Sequence, residues 1–342
     1  MADPILKTHA THAAQHFERA AAGLALRQTA RGAWRGNVAP WPGCADADFH
    51  GTLAAIWTWA RYEALSGDRR FGANREAGWS FVEAVWRKFI PEAIGPEASD
   101  EAAYDCAMVL RAGVAERALA GGRSRLTELV AGGARVLGAY LAELDDLSGR
   151  DFSDPGFLAW NLIEYARSVE ERGLLSTGRR FVERAFGMKA PPAFVSEPDV
   201  PGPLFDFSST TATRVLAILA SEGNTPFVGA WLRERVVASV PDGFSPRRRD
   251  ENCWNACVAT VLGRAYVVST DPMFLETYRA ICAEIARRDG AAGGALGREG
   301  QGGGLAPGPD TLATFYYALA TDALVRSDNA ASDIGSRKVN GR

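Results

Sequence analysis

The chain has 342 residues, 47% of them hydrophobic and 23% charged, with a formal net charge of −3. This is ample material for a core, and the length alone admits one or two domains. The balance of charge excludes a basic nucleic-acid surface, and no apolar run reaches the roughly 18 residues needed to cross a bilayer. The first residues, Met1-Ala-Asp-Pro-Ile-Leu-Lys7, lack the apolar stretch of a signal peptide. Five cysteines (Cys44, Cys106, Cys253, Cys257 and Cys282), an odd number, fit reduced thiols better than a disulfide framework. The expectation is a cytoplasmic protein.

In chain order, residues 5–30 read as an Ala-rich amphipathic helix. His9, His12 and His16 share one face of it, with no carboxylate or thiol to complete a metal site, so a solvated face is expected. A loop from Trp34 to Pro42 follows. Helices of two kinds then alternate. One set starts small or polar and turns apolar and aromatic: 50–66, 100–120, 155–169, 208–221, 252–269 and 311–326. The other is more charged: 71–89, 125–144, 174–186, 226–240 and 272–288. Strand alternation is not seen. Pairs recurring roughly every 45–55 residues are the mark of stacked helical hairpins. An open solenoid would need capping repeats, whereas a closed ring, with the first helix as the sixth outer one, would not. The sequence therefore predicts an all-α, (α/α)6 toroid of six inner and six outer helices. It forms a single domain over 1–326 with a polar, disordered tail over 327–342, and its mouth lies at the N-termini of the inner helices. The glycine-rich stretch Gly290–Gly308 reads as a flap over the mouth, and Arg247-Arg248-Arg249 as a solvated rim.

The most informative stretch is Ser99–Leu110. Ser99 is a good N-cap, Asp100 and Glu101 place negative charge in the first turn, and the helix then becomes apolar around one carboxylate, Asp105. No Lys or Arg lies within a helical turn of it. A buried carboxyl without a cationic partner is expected to stay protonated near neutrality and to be able to donate its proton. The alternative is a structural Asp hydrogen-bonded to a neighbour.

Two segments resemble a known family. Arg19, Leu24, Gln28, Gly32 and Trp34 stand at the spacing of the QW motif of squalene–hopene cyclases and their relatives, with Gly23 in the aromatic position. There the Gln amide satisfies backbone groups at a helix end and the Trp ring packs over the turn. Ala102-Ala-Tyr104-Asp105-Cys106-Ala107 is similar to the family's Asp-x-Asp-Asp-Thr-Ala segment, keeping the last Asp and the Ala, with Tyr104 where the family has its proton donor. The chain also looks like the shortened, single-domain meroterpenoid cyclases in size. The resemblance implies a class II terpene cyclase, of isomerase or lyase type, that needs no cofactor and no metal. Asp105 would be the general acid, with Tyr104, Cys106 or His50 bonding its second oxygen. The implied partner is a hydrophobic isoprenoid, with peripheral membrane contact admitted.

Aromatic residues on the inner set suit a carbocation, since ring faces attract cations. Trp57, Trp160, Trp254, Phe315 and Tyr316 are the candidates for substrate contact, although any single ring also fits simple core. Three rivals remain. Glu251-Asn-Cys253-Trp254 resembles the zinc segment of protein prenyltransferase β subunits, but Asp310 and its followers stand where a histidine would be needed. A carbohydrate-active toroid would pair Asp105 with Asp206, Glu251 or Asp310. A non-catalytic toroid would simply bind an apolar ligand.

Overall fold

The computed structural model describes residues 17–34, 49–93, 100–119, 126–144, 155–186, 209–221, 229–230, 232–233 and 252–291. These are helical apart from turns and one isolated bridge between Gln28 and Trp34. The fold is all-α. The helices are α1 (17–25), α2 (Phe49–Ser66), α3 (Gly72–Ala93), α4 (Asp100–Leu119) and α5 (Thr127–Glu143). They continue as α6 (Pro155–Ser168), α7 (Arg172–Phe186), α8 (Ser209–Ser221), α9 (Asn252–Ser269) and α10 (Pro272–Ala291). The expected helix at 311–326 and most of that at 226–240 lie outside the described residues. Gly290, expected to begin a loop, is still in α10. Among the described residues no helix is long and apolar enough to cross a membrane.

The first helix ends sooner than its composition predicts. It ends at residue 25 instead of 30, with the amides of Arg27 and Gln28 bonding Leu24 and Ala25 in a tightened last turn. The chain then reverses, Gln28 pairing with Trp34. Gly32 makes that reversal at φ +84, and a Cβ there would sit 2.1 Å from the carbonyl oxygen of Ala77. The Gln28 amide donates to the carbonyls of Gly32 (2.9 Å) and Asn74 (2.8 Å), and the Asn74 amide donates back at 2.7 Å. Trp34 is fully buried; its indole donates to the Leu24 carbonyl at 3.1 Å and its backbone N–H to the Thr52 hydroxyl at 2.9 Å. This knot ties α1 to the starts of α2 and α3.

Beyond it the helices form a row. α2 packs on α4, α4 on α6, α6 on α8 and α8 on α9, while α3, α5, α7 and α10 each fold back on the helix before them. The row helices are buried nearly all round: every residue from Gly51 to Ala60 is buried, as is every one from Ala102 to Gly113. That is why they show no polar stripe. Small residues let them approach. A Cβ on Gly156 of α6 would lie 2.5 Å from the backbone nitrogen of Arg214 in α8. Trp34, Trp57, Trp59 and Trp79 are among the largest fully buried side chains. Burying each removes roughly 150–250 Å² from water, on the order of 4 kcal/mol or more at about 25 cal/mol/Å².

Several of the charges in this interior are matched by opposite ones. Arg75 of α3 contacts Glu63 of α2 and lies 2.9 Å from Glu116 of α4, which also accepts from the Trp79 indole at 3.3 Å. Burial pushes Glu116 up, with Arg75 opposing it. Further along, Arg264 of α9 reaches Glu164 of α6 at 2.6 Å, past the intervening α8.

Candidate active site

Asp105 lies in the second turn of α4 and is 2% exposed. His50, the second residue of α2, stands opposite, its Nε2 2.5 Å from Asp105 Oδ1. The packing of α2 on α4 creates this contact, because both residues sit near the N-terminal ends of their helices. Burial pushes His50 down to about 4, so its imidazole is neutral at pH 7. At 2.5 Å the two atoms are in direct polar contact. Next in the chain, burial drives the Cys106 thiol far upward, so Cys106 is a protonated, unreactive core residue.

Aromatic rings continue from the pair. The Tyr104 ring meets the His50 ring edge-on at 4.7 Å between centroids and stacks on Phe157 at 5.1 Å. Phe157 in turn meets Trp160 edge-on at 6.1 Å. The Arg111 guanidinium sits over the Trp160 ring, 3.9 Å from its centroid, and donates through Nε to the Asn161 side chain at 2.7 Å. The train thus runs His50, Tyr104, Phe157, Trp160, Arg111 across α2, α4 and α6.

Of the residues singled out in the sequence, the structure brings together Asp105, His50, Tyr104 and Trp160. Trp57 is elsewhere: its ring packs at 5.7 Å on Phe17 of α1, a core position. Trp160 differs from its expected role in one respect, since one face is already occupied by a resident cation. The side chains of Cys253 and Trp254 and the whole of Asp206, Glu251, Asp310, Phe315 and Tyr316 lie outside the described residues. Among the described residues no three His, Cys, Asp or Glu side chains come together as a metal ion would require.

Sequence reasoning missed Phe157 as the stacking partner, the Arg111–Asn161 pair, and the Glu63–Arg75–Glu116 triad. The available signal was the presence of charged residues inside otherwise apolar helices. The loops expected to form a mouth at the N-terminal ends of the row helices lie outside the described residues. A cavity of about 570 Å³ among the described residues lies at the opposite end of α4 and α6. Comparison with family models, curated proteins and solved structures finds no match to the chain.

Proposed function

We propose that this protein is a protonation-initiated (class II) terpenoid or meroterpenoid cyclase with Asp105 as its general acid. The observation that carries the reading is the buried 2.5 Å contact between Asp105 and His50, flanked by the Tyr104 and Phe157 rings. Protonating an alkene is demanding for a carboxylic acid. A neutral His50 donating from Nε2 to Oδ1 stabilises the carboxylate left behind, and so strengthens the acid while the proton leaves from Oδ2. That proton adds to a terminal alkene or epoxide of a linear isoprenoid. The tertiary cation formed is attacked by the next double bond, and proton loss or a tethered hydroxyl ends the cascade. Neighbouring rings shield the cation from water.

The reading takes the row α2, α4, α6, α8 and α9 as the inner wall of a closed (α/α)6 toroid, cytoplasmic and acting on an apolar substrate. Its support is the serial packing of that row and the Glu164–Arg264 pair, which draws α6 and α9 towards one another across α8.

The test is Asp105→Asn, which keeps the shape and removes the acid. Conversion of a polyprenyl substrate, followed by mass spectrometry of the products, should fall by about 100-fold or more, with folding unchanged by circular dichroism. Turnover near the wild-type rate would sink the assignment. Asp206→Asn combined with Asp310→Asn should retain substantial activity. If that pair and not Asp105 proves essential, a two-carboxylate reaction on a sugar is the better account.

A further inference from the structure

The cavity of about 570 Å³ lies between the α4–α5 and α6–α7 hairpins. It is reached along α4 from Asp105 through Gly113 to Arg117, and at 1.5 Å per residue that is about 12–18 Å away from the acid. Nothing in the cyclase reading uses it. Its volume is that of a small-molecule site, and its lining is of two kinds. Val130, Val169 and Leu174 give it apolar walls, with Gly113 and Val130 so close that a Cβ on the glycine would meet the valine methyls at 2.7 Å. Arg117, Arg135, Glu171 and the Tyr165 ring give it a polar side. The Arg135 side chain lies back along α5, with its Nη2 4.0 Å from where a Cβ on Gly132 would stand. All four line the same cavity, and the charges of Arg117, Arg135 and Glu171 act on the buried Tyr165.

Two guanidinium groups against one carboxylate give the polar side of the cavity a net positive charge, with Arg135 and Glu171 exposed to solvent. We propose that this cavity binds a carboxylate-bearing apolar small molecule, its head held by Arg117 and Arg135 and its body against Val130, Val169 and Leu174. Arginine suits the task because its planar fork matches a carboxylate bidentately. The inference is independent of the chemistry at Asp105.

The experiment is isothermal titration of the full chain with phenylbutyrate, and with phenylbutanol as the neutral analogue of equal size. Phenylbutyrate should bind saturably at one site, about tenfold more tightly than phenylbutanol. Arg117→Gln with Arg135→Gln should lose about that same tenfold, leaving the alcohol's affinity unchanged. Ala131→Phe, which fills the lining without touching charge, should weaken both probes and so guards against a misfolded arginine variant. Asp105→Asn should bind like the wild type, which separates this site from the proposed catalytic one. Equal affinity for the two probes, no saturation at millimolar concentration, or binding insensitive to the lining substitutions overturns the proposal.

Discussion

At the scale of single residues, His50 couples stability to pH. Its folded value of about 4 lies below the ordinary 6.5, so between these limits the unfolded chain binds more protons. Stability from this group therefore rises with pH across that window: it is fully present above 6.5 and lost as pH falls to about 4. The span corresponds to roughly 3 kcal/mol. Urea unfolding at several pH values should show this slope, and His50→Gln should flatten it; an unchanged slope would place the titration elsewhere. Arg75 is the opposite case, a charge whose removal leaves Glu116 buried without its cation and Glu63 with only the exposed Arg69, 3.2 Å away. Arg75→Met should cost about 3–5 kcal/mol, read as a lower urea midpoint at constant slope. Asp105 was legible in the sequence because it is a lone carboxylate in an apolar helix, and His50 because it opens the neighbouring one. The triad was not, since nothing in the chain order says that Glu63, Arg75 and Glu116 meet. Trp160 was identified as a ring for the site, but the guanidinium over its face comes from packing of α4 on α6 and carries no local signature.

At the scale of elements, the α1 knot and the α6–α8 crossing make separable predictions. Gln28→Ala removes the amide that serves two carbonyls and the Asn74 side chain, and should cost about 1–3 kcal/mol. Gly32→Ala should cost more, because the new methyl meets the Ala77 carbonyl and the backbone is left-handed there. Gly156→Ala must push α6 off the Arg214 backbone, and by overpacking should cost about 1–3 kcal/mol. Denaturant midpoints for the three variants check the set; a neutral Gly156→Ala would show that the crossing relaxes freely. The positions of the described helices from α2 onward were read from the chain to within a few residues, since the alternation of apolar and charged helices is a local pattern. The first helix was overrun by five residues because the reversal at Gln28–Trp34 is fixed by partners in α2 and α3, which an Ala-rich stretch does not announce.

At the scale of the whole molecule, each row helix is buried on several sides by its neighbours, so no hairpin keeps its core alone. Thermal unfolding followed by far-ultraviolet circular dichroism and by tryptophan emission should give one coincident transition. Two separated transitions would show that the row divides into independent blocks. The hairpin repeat was legible as recurrence in the sequence. The cavity at the far end of α4 and α6 was not, because a gap between helices is a residue of imperfect packing and leaves no pattern in either strand of the repeat.

The order of packing along the row has a consequence for synthesis. Every row helix docks on the one made just before it, and a hairpin of some 50 residues leaves the ribosome every few seconds at roughly 5–20 residues per second. Helix formation takes about a microsecond. Each newly emerged pair therefore finds the helices before it already formed, and assembly can keep pace with translation. A pause leaves a shorter row that ends in one bare apolar helix face, which is the surface a chaperone would have to shield until the next pair arrives.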